Sequence, residues 1–290
     1  MRNRASRTAE QVALFRALET ARGHDRVFDD PLAVRFLRGG YRGLARAARI
    51  RPVGRWLESY IDHRWPGPRP SAVARTRLID DLVIAALAHG ARQVLLLGAG
   101  YDSRAYRLPG IERVPVFEAD HPATQAMKRR LVRGAVRPER RRHVHYVPVD
   151  LLGEDLGEAL LTNGFAALEP TVVVWEGVTN YLTETAVDVT LRRLASLTAT
   201  GSKLIFTYVD RRVLRGEVTG AESWHQAVRR QGEPWTFGFD PAALPAYLAD
   251  RDMRLALDQS TRDAAERYLQ PLGRAENAAS FYRVAEAEIQ

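Results

Sequence analysis

The stretch Gln93-Val94-Leu95-Leu96-Leu97-Gly98-Ala99-Gly100-Tyr101-Asp102 constrains this chain more than any other. A continuous apolar run that ends on two glycines predicts a strand buried on both faces, delivered into a tight turn before a helix. Turns of this kind receive nucleotides. A pyrophosphate asks for a third glycine and bare backbone N–H groups at the helix start, but Tyr101 and Asp102 occupy that slot. A carboxylate there repels phosphate and attracts a cation.

Beyond the turn, apolar runs alternate with amphipathic spacing. Strands are predicted over 113–119, 143–149, 171–175 and 203–209, with helices at about 122–134, 154–162 and 183–198 between them. Such alternation with right-handed crossovers gives a doubly wound, Rossmann-like α/β sheet, which binds its ligand outside the carboxyl ends of the strands. Upstream, 76–90 reads as an amphipathic helix with Leu78, Ile79, Leu82, Val83, Ala86 and Leu87 inward, closed by Gly90. Residues 1–75 show only helical spacing, at Val12, Phe15 and Leu18 and again at Leu32, Phe36 and Leu37. They are broken by Pro/Gly joints, the last at Pro66-Gly67-Pro68, and are expected to form a helical cap on a domain running from 76 to 290. Residues 210–240 mix polar, basic and aromatic side chains, with Trp224, His225, Trp235 and Phe237, over a length too great for a simple connection. They read as a lid over the site. Asp240-Pro241 opens another helix, 253–257 is a further strand, and 281–286 completes a mostly parallel seven-stranded sheet as an antiparallel strand at or near one edge.

With 290 residues and 46% hydrophobic content, the chain can bury a large core. No run approaches the roughly eighteen apolar residues of a membrane span, so no membrane partner is expected. The basic N-terminus leads into no apolar segment and gives no secretory signal. Zero cysteines exclude disulfides and thiolate chemistry and fit a reducing cytoplasm. The net charge of +8 suggests nucleic acid, yet every basic residue except Lys128 and Lys203 is arginine, and they are spread along the whole chain. The densest run, from Lys128-Arg129-Arg130 to Arg140-Arg141-Arg142, reads as a solvated helix and loop.

The strand ends carry acid: Asp102 after the first, Glu118 and Asp120 at the second, Asp150 at the third, Glu176 at the fourth. Asp120 stands about twenty residues past the turn, where a carboxylate that holds both ribose hydroxyls belongs. Asp150 with Leu151 offers an acceptor for an adenine amino group and an apolar wall. Asp102 and Glu176 remain, and like charges this close are costly unless a cation or paired arginines lie among them. S-adenosylmethionine, with a sulfonium, an ammonium and no phosphate, suits this set better than NAD. Each acid could also be the N-cap of the next helix; their joint placement carries the assignment.

Five blocks then carry a resemblance: Ala74-Arg75-Thr76-Arg77-Leu78-Ile79-Asp80, Leu97-Gly98-Ala99-Gly100-Tyr101-Asp102-Ser103-Arg104, Phe117-Glu118-Ala119-Asp120-His121-Pro122, Val149-Asp150-Leu151 and Trp175-Glu176-Gly177-Val178-Thr179-Asn180-Tyr181-Leu182. In this order the chain resembles the leucine carboxyl methyltransferase-like family, including bacterial relatives that methylate polyketide carboxyls. The likeness implies a class I methyltransferase fold and S-adenosyl-L-methionine as donor. It further implies a carboxylate or hydroxyl acceptor on a small molecule, such as a polyketide or peptide-derived acid of secondary metabolism, in a monomer or homodimer. By similarity, Arg77 would contact the donor or acceptor carboxylate, Gly98 and Gly100 would underlie the methionine moiety, and Asp120 would hold the ribose. Asp150 and Leu151 would hold the adenine, Glu176 the methionine ammonium, Tyr181 would lie beside the transferring methyl, and Arg16 would close over the donor carboxylate.

A carboxylate acceptor is already ionised at neutral pH and needs no base; Arg77 with Tyr181 could hold it bidentately. A hydroxyl acceptor would need one, and His121 and His225 are the candidates. His143 and His145 share a strand face but lack the acid or cysteine that would complete a metal site. A nucleic-acid or protein methyltransferase, an NAD-dependent oxidoreductase and a repurposed donor-binding protein are the competing readings. A nucleic-acid enzyme acting on base amines usually carries an Asn/Asp-Pro-Pro-Tyr-like loop where this chain has Glu176-Gly177-Val178-Thr179-Asn180-Tyr181; Asp102 disfavours the oxidoreductase.

Overall fold

The computed structural model describes residues 7–230 and 232–290; the basic start of the chain, 1–6, and Gln231 lie outside the described residues. Seven strands form one sheet: β1 (Gln93–Leu97), β2 (Val116–Asp120), β3 (Val144–Pro148), β4 (Thr171–Trp175), β5 (Lys203–Val209), β6 (Met253–Ser260) and β7 (Tyr282–Ile289). Their order is β3-β2-β1-β4-β5-β7-β6. The first five run parallel, with Val94 paired to Val116 on one side and to Val172 on the other. β7 runs antiparallel between β5 and β6, so the closing strand stands one place in from the edge.

The strands sort their side chains with period two, and this builds the layers. From β1 and β4, Val94, Leu96, Val172 and Val174 enter one apolar cluster, while Leu95, Leu97, Val173 and Trp175 enter the other. The first cluster is covered by α1 (Arg7–Ala21), α2 (Ala33–Phe36), α3 (Gly39–Ala47), α4 (Arg51–Arg64) and α5 (Pro68–Ala88). Beside the turn follow α6 (Arg104–Arg107) and, along β2, α7 (Pro122–Arg133). The second cluster is covered by α8 (Leu156–Thr162), α9 (Glu184–Leu197) and, after α10 (Glu222–Arg230), α11 (Leu244–Ala249); α12 (Thr261–Tyr268) returns to the first. No helix among the described residues is long and apolar enough to cross a membrane.

Two sequence expectations change. The helix read as 76–90 begins at Pro68, so Pro66-Gly67-Pro68 is its start and the boundary at 75 falls within one continuous helix. Prolines in a first turn lose no hydrogen bond, because those N–H groups have no intrahelical partner. The basic run is not wholly solvated either: Lys128 is buried, with its Nζ 2.9 Å from Glu118.

The 210–240 segment leaves β5, forms α10 and comes back where Phe239 bridges to Asp210. Trp235 and Val228 join Phe281 and Tyr282 in a third cluster, with Trp224 packed against it. This seats α10 at the carboxyl end of β5.

Candidate active site

A cavity of about 810 Å³ opens at the carboxyl ends of β1–β4, with α1, α5 and Trp224, Val228, Gly232, Glu233 and Trp235 completing its wall. Gly98 and Gly100 form its floor, at φ +67° and +41°. A Cβ at Gly98 would collide with Val178 Cγ2, so only glycine leaves the turn open here. The Gly98 and Ala99 amides donate to the Ala119 carbonyl at 2.8 and 3.2 Å, which ties the turn to β2.

Asp120 closes that crevice. Its Oδ2 accepts from the Gly100 amide at 2.6 Å and its Oδ1 from the His121 amide at 2.7 Å. Burial pushes its pKa up, against the opposing pull of those two amides. Asp150 and Leu151 also line the cavity, with Asp150 Oδ1 accepting from the Leu152 amide at 3.0 Å.

The two remaining acids share a guanidinium. Arg104 Nη1 donates to Asp102 Oδ2 at 2.7 Å and to Glu176 Oε2 at 2.6 Å, while its Nε is anchored on Asp80 at 2.7 Å. Glu176 Oε1 accepts from Arg75 Nε at 2.8 Å. Burial works to raise both carboxyls, but Arg104, with Lys128 behind Asp102 and Arg75 behind Glu176, holds them well below the ordinary range. The side chains of Asp102 and Glu176 each keep 14% exposure against 2% for Arg104. The acids therefore face the cavity and the arginine backs them. The sequence left a cation or paired arginines to balance this pair, and the structure supplies arginines, Arg104 on both acids and Arg75 on Glu176.

Tyr181 lines the cavity, and burial pushes its hydroxyl up to about 12. Arg16 lines it too, with Nε on Asp30 at 2.8 Å and Nη2 on the Tyr101 carbonyl at 2.5 Å, so it fastens α1 over the turn.

Arg77 is elsewhere. It does not line the cavity; it pairs with Asp81 at 3.0 Å, donates to the Val27 carbonyl at 2.8 Å and lies over the Tyr268 ring. Two residues along a helix turn a side chain by about 200°, so Arg75 points inward and Arg77 outward. Glu118 is also absent from the lining: it sits one pleat deeper than Asp120, buried against Lys128. His121 reaches the cavity, but its Nδ1 accepts from the Ala123 amide and caps α7. His225 stacks on Trp235 outside the lining. His143 Nε2 bonds the Ala105 carbonyl at 2.7 Å, and His145 stacks on Phe117.

Sequence reasoning missed Arg75 and Tyr282 on the cavity wall and Arg104 behind it, while Trp224 and Trp235, read as part of a lid over the site, do line the cavity. Both arginines stand inside the quoted blocks, so the surplus of acid could have singled them out.

The lining fits S-adenosylmethionine: a turn that a Cβ would fill, a gripped carboxylate in the β1–β2 crevice, an acid beside an apolar wall, and two ionised acids facing the space. The family described as leucine carboxyl methyltransferase matches residues 9–195. A provisionally named S-adenosyl-L-methionine-dependent methyltransferase of Frankia alni is 36% identical over 250 residues, covering 84% of this chain and 85% of the relative. One from Streptomyces coelicolor is 38% identical over 218 residues, covering 74% and 72%. Among solved structures, a provisionally named methyltransferase from Thermobifida fusca aligns with a TM-score of 0.56 over 95% of this chain and 94% of its own, at 15% identity. Magnesium protoporphyrin IX methyltransferase from Synechocystis, solved with bound S-adenosylhomocysteine, aligns at 0.50 over 77% and 86%, at 14% identity. Fold, site and sequence agree that the chain belongs to the leucine carboxyl methyltransferase family of S-adenosylmethionine-dependent methyltransferases.

Proposed function

We propose that this enzyme methylates the carboxylate of a small-molecule acid of the kind secondary metabolism supplies. The observation that carries the reading is Arg75. Its Nε is fixed by Glu176, its guanidinium lies 4.9 Å over the Tyr282 ring, and its Nη1 and Nη2 make no hydrogen bond among the described residues. A buried guanidinium on a cavity wall with its fork unspent suits a planar carboxylate.

When bound, S-adenosylmethionine supplies a methyl group made electrophilic by its sulfonium. Gly98 and Gly100 would underlie its methionine moiety, Asp120 would hold the ribose, Asp150 and Leu151 the adenine, and Glu176 with Asp102 the ammonium. Arg75 aligns the acceptor, and α1 with Trp224, Val228 and Trp235 excludes water; alignment and desolvation are what an ionised nucleophile needs. Among the described residues the lining holds one histidine, His121, and its Nδ1 is engaged at the start of α7. That supports a reaction without a base.

The pH profile of S-adenosylhomocysteine release tests this. A carboxylic acceptor stays ionised from about pH 6 to 9, so the rate should be flat there. A hydroxyl acceptor served by His121 is the second reading, and a rate climbing severalfold from about pH 6 to 8 would establish it instead.

A further inference from the structure

We infer that the outer side of α3 and α4 seats the protein on a bilayer surface rich in anionic lipid, with Trp56 and Tyr60 at the headgroup boundary and arginines on the phosphates. The inference does not depend on which acceptor is methylated.

Thirteen large apolar side chains stand exposed among the described residues, and seven of them fall between 41 and 65. Scattered singly, such side chains are ordinary, but a concentration of this kind marks a contact. α4 carries two apolar faces. Gly54, Leu57 and Ile61 turn to the core, and Gly54 sits so close to the end of α3 that a Cβ there would collide with the Ala48 carbonyl. Val53, Trp56, Tyr60 and Arg64 follow one another at steps of three, four and four, which places them on one further face. Val53, Trp56 and Tyr60 are exposed, Trp56 by 65%, and the Trp56 and Tyr60 rings stack at 5.7 Å. Ile50 before the helix and Trp65 after it are exposed as well, and Arg64 lies over the Trp65 ring. On α3, Tyr41 and Leu44, one turn apart, are also open to solvent.

The charge of this stretch selects its partner. Residues 33–65 hold eight arginines and two acids. Both acids are engaged from outside the stretch, Glu58 by Arg22 and Asp62 by Arg69. Arg46, Arg49 and Arg64 are exposed and make no ion pair with a described acid. A second copy of the chain would set this face against itself, arginine on arginine with no acid between them, which is repulsive. A bilayer with anionic headgroups answers both halves of the face. Its phosphates take the guanidiniums, and tryptophan, tyrosine and isoleucine lie at the acyl boundary, where amphipathic rings collect. Such a contact needs no spanning helix. The face also leads to the cavity, because Trp65 stands three residues before Pro68 on its wall.

The test mixes the purified full chain with sedimenting vesicles of phosphatidylcholine alone or of equal parts phosphatidylcholine and phosphatidylglycerol. Binding is read as the sedimented fraction and as the blue shift of tryptophan fluorescence. The mixed vesicles should hold the protein about tenfold or more tightly than phosphatidylcholine, with added salt weakening the binding. Trp56→Ser with Tyr60→Ser, and separately Arg46→Glu with Arg49→Glu, should each weaken binding to mixed vesicles by about tenfold or more. Melting temperature and S-adenosylhomocysteine affinity should stay close to wild type in both, since all four side chains are exposed. Arg130→Glu with Arg133→Glu makes the same change of charge on α7 and should weaken binding far less. No binding to mixed vesicles, or binding that survives the loss of Trp56 and Tyr60, would overturn the inference. An equal loss in the α7 variant would overturn it too, by reducing the attraction to net charge. A wild-type dimer in sedimentation without vesicles, made monomeric by Trp56→Ser with Tyr60→Ser, would give the face to a second copy instead of lipid.

Discussion

Asp120 is held by two backbone amides before any ligand arrives, so its position is set by the turn and β2 together. Losing a hydrogen-bonding partner of this charged kind costs roughly 1.5–3 kcal/mol. Asp120→Ala should therefore weaken S-adenosylmethionine binding by about ten- to a hundredfold in calorimetry, with a folded protein; unchanged affinity would remove the ribose assignment. Arg75→Ala should lower kcat/KM by about a hundredfold or more, since a buried charged hydrogen-bonding partner is lost at the acceptor, while Glu176 keeps its bond to Arg104. Arg77→Ala breaks an exposed pair worth under about 1 kcal/mol and should leave kinetics near normal. A severe loss of turnover in Arg77→Ala, with Arg75→Ala active, would reverse the two roles. The acids were legible in the sequence because each directly follows a strand run. The arginines were not: both lie in one helical block, and which of them faces the cavity depends on how α5 is laid against a sheet formed far along the chain.

At the level of elements, the ends of β1 and β4 are locked by one guanidinium that neither strand supplies. Arg104 comes from α6 and joins Asp102, after β1, to Glu176, after β4. Glu176 has its pKa brought down from 4.5 to about 2, against the opposing effect of burial, chiefly by Arg104 and then Arg75. A carboxyl lowered on folding stabilises the fold fully above its ordinary pKa, and that contribution is lost as the pH falls toward the folded value. The gap in melting temperature between wild type and Glu176→Gln should thus narrow as the pH drops from about 5 to about 3; a constant gap would contradict the ion-pair assignment. Strand positions were largely readable, since β1 and β4 are buried throughout and appear as unbroken apolar runs. The beginning of α5 was not, because a Pro/Gly cluster can end a helix or open one, and local sequence does not choose. The 210–240 segment reads from sequence as a lid over the site, but the seating of α10 and its tryptophan depends on contacts with Phe281 and Tyr282, which arrive some fifty residues later.

Across the whole molecule, the basic character of the chain is partly spent inside it. Lys128, Arg69, Arg75 and Arg104 are buried, each beside an acid, and Asp80 sits between Arg104 and Arg107. Such pairs cancel in the sum, so the net charge of +8 stays with the other residues, where it is carried by arginines spread along the whole chain. What organises the protein is a sheet whose carboxyl edge presents acids to a cavity, with Arg75 and the packed rings of Trp224, Trp235 and Tyr282 also lining it. Methyl transfer to a carboxylate is tested most directly by supplying S-adenosylmethionine labelled in its methyl group together with a panel of small carboxylic acids, isolating the labelled product and treating it with mild alkali. A methyl ester is hydrolysed under these conditions and releases its label, which is the expected result; label that survives alkali, as in an ether or a methylated amine, would contradict the assignment of a carboxylate acceptor.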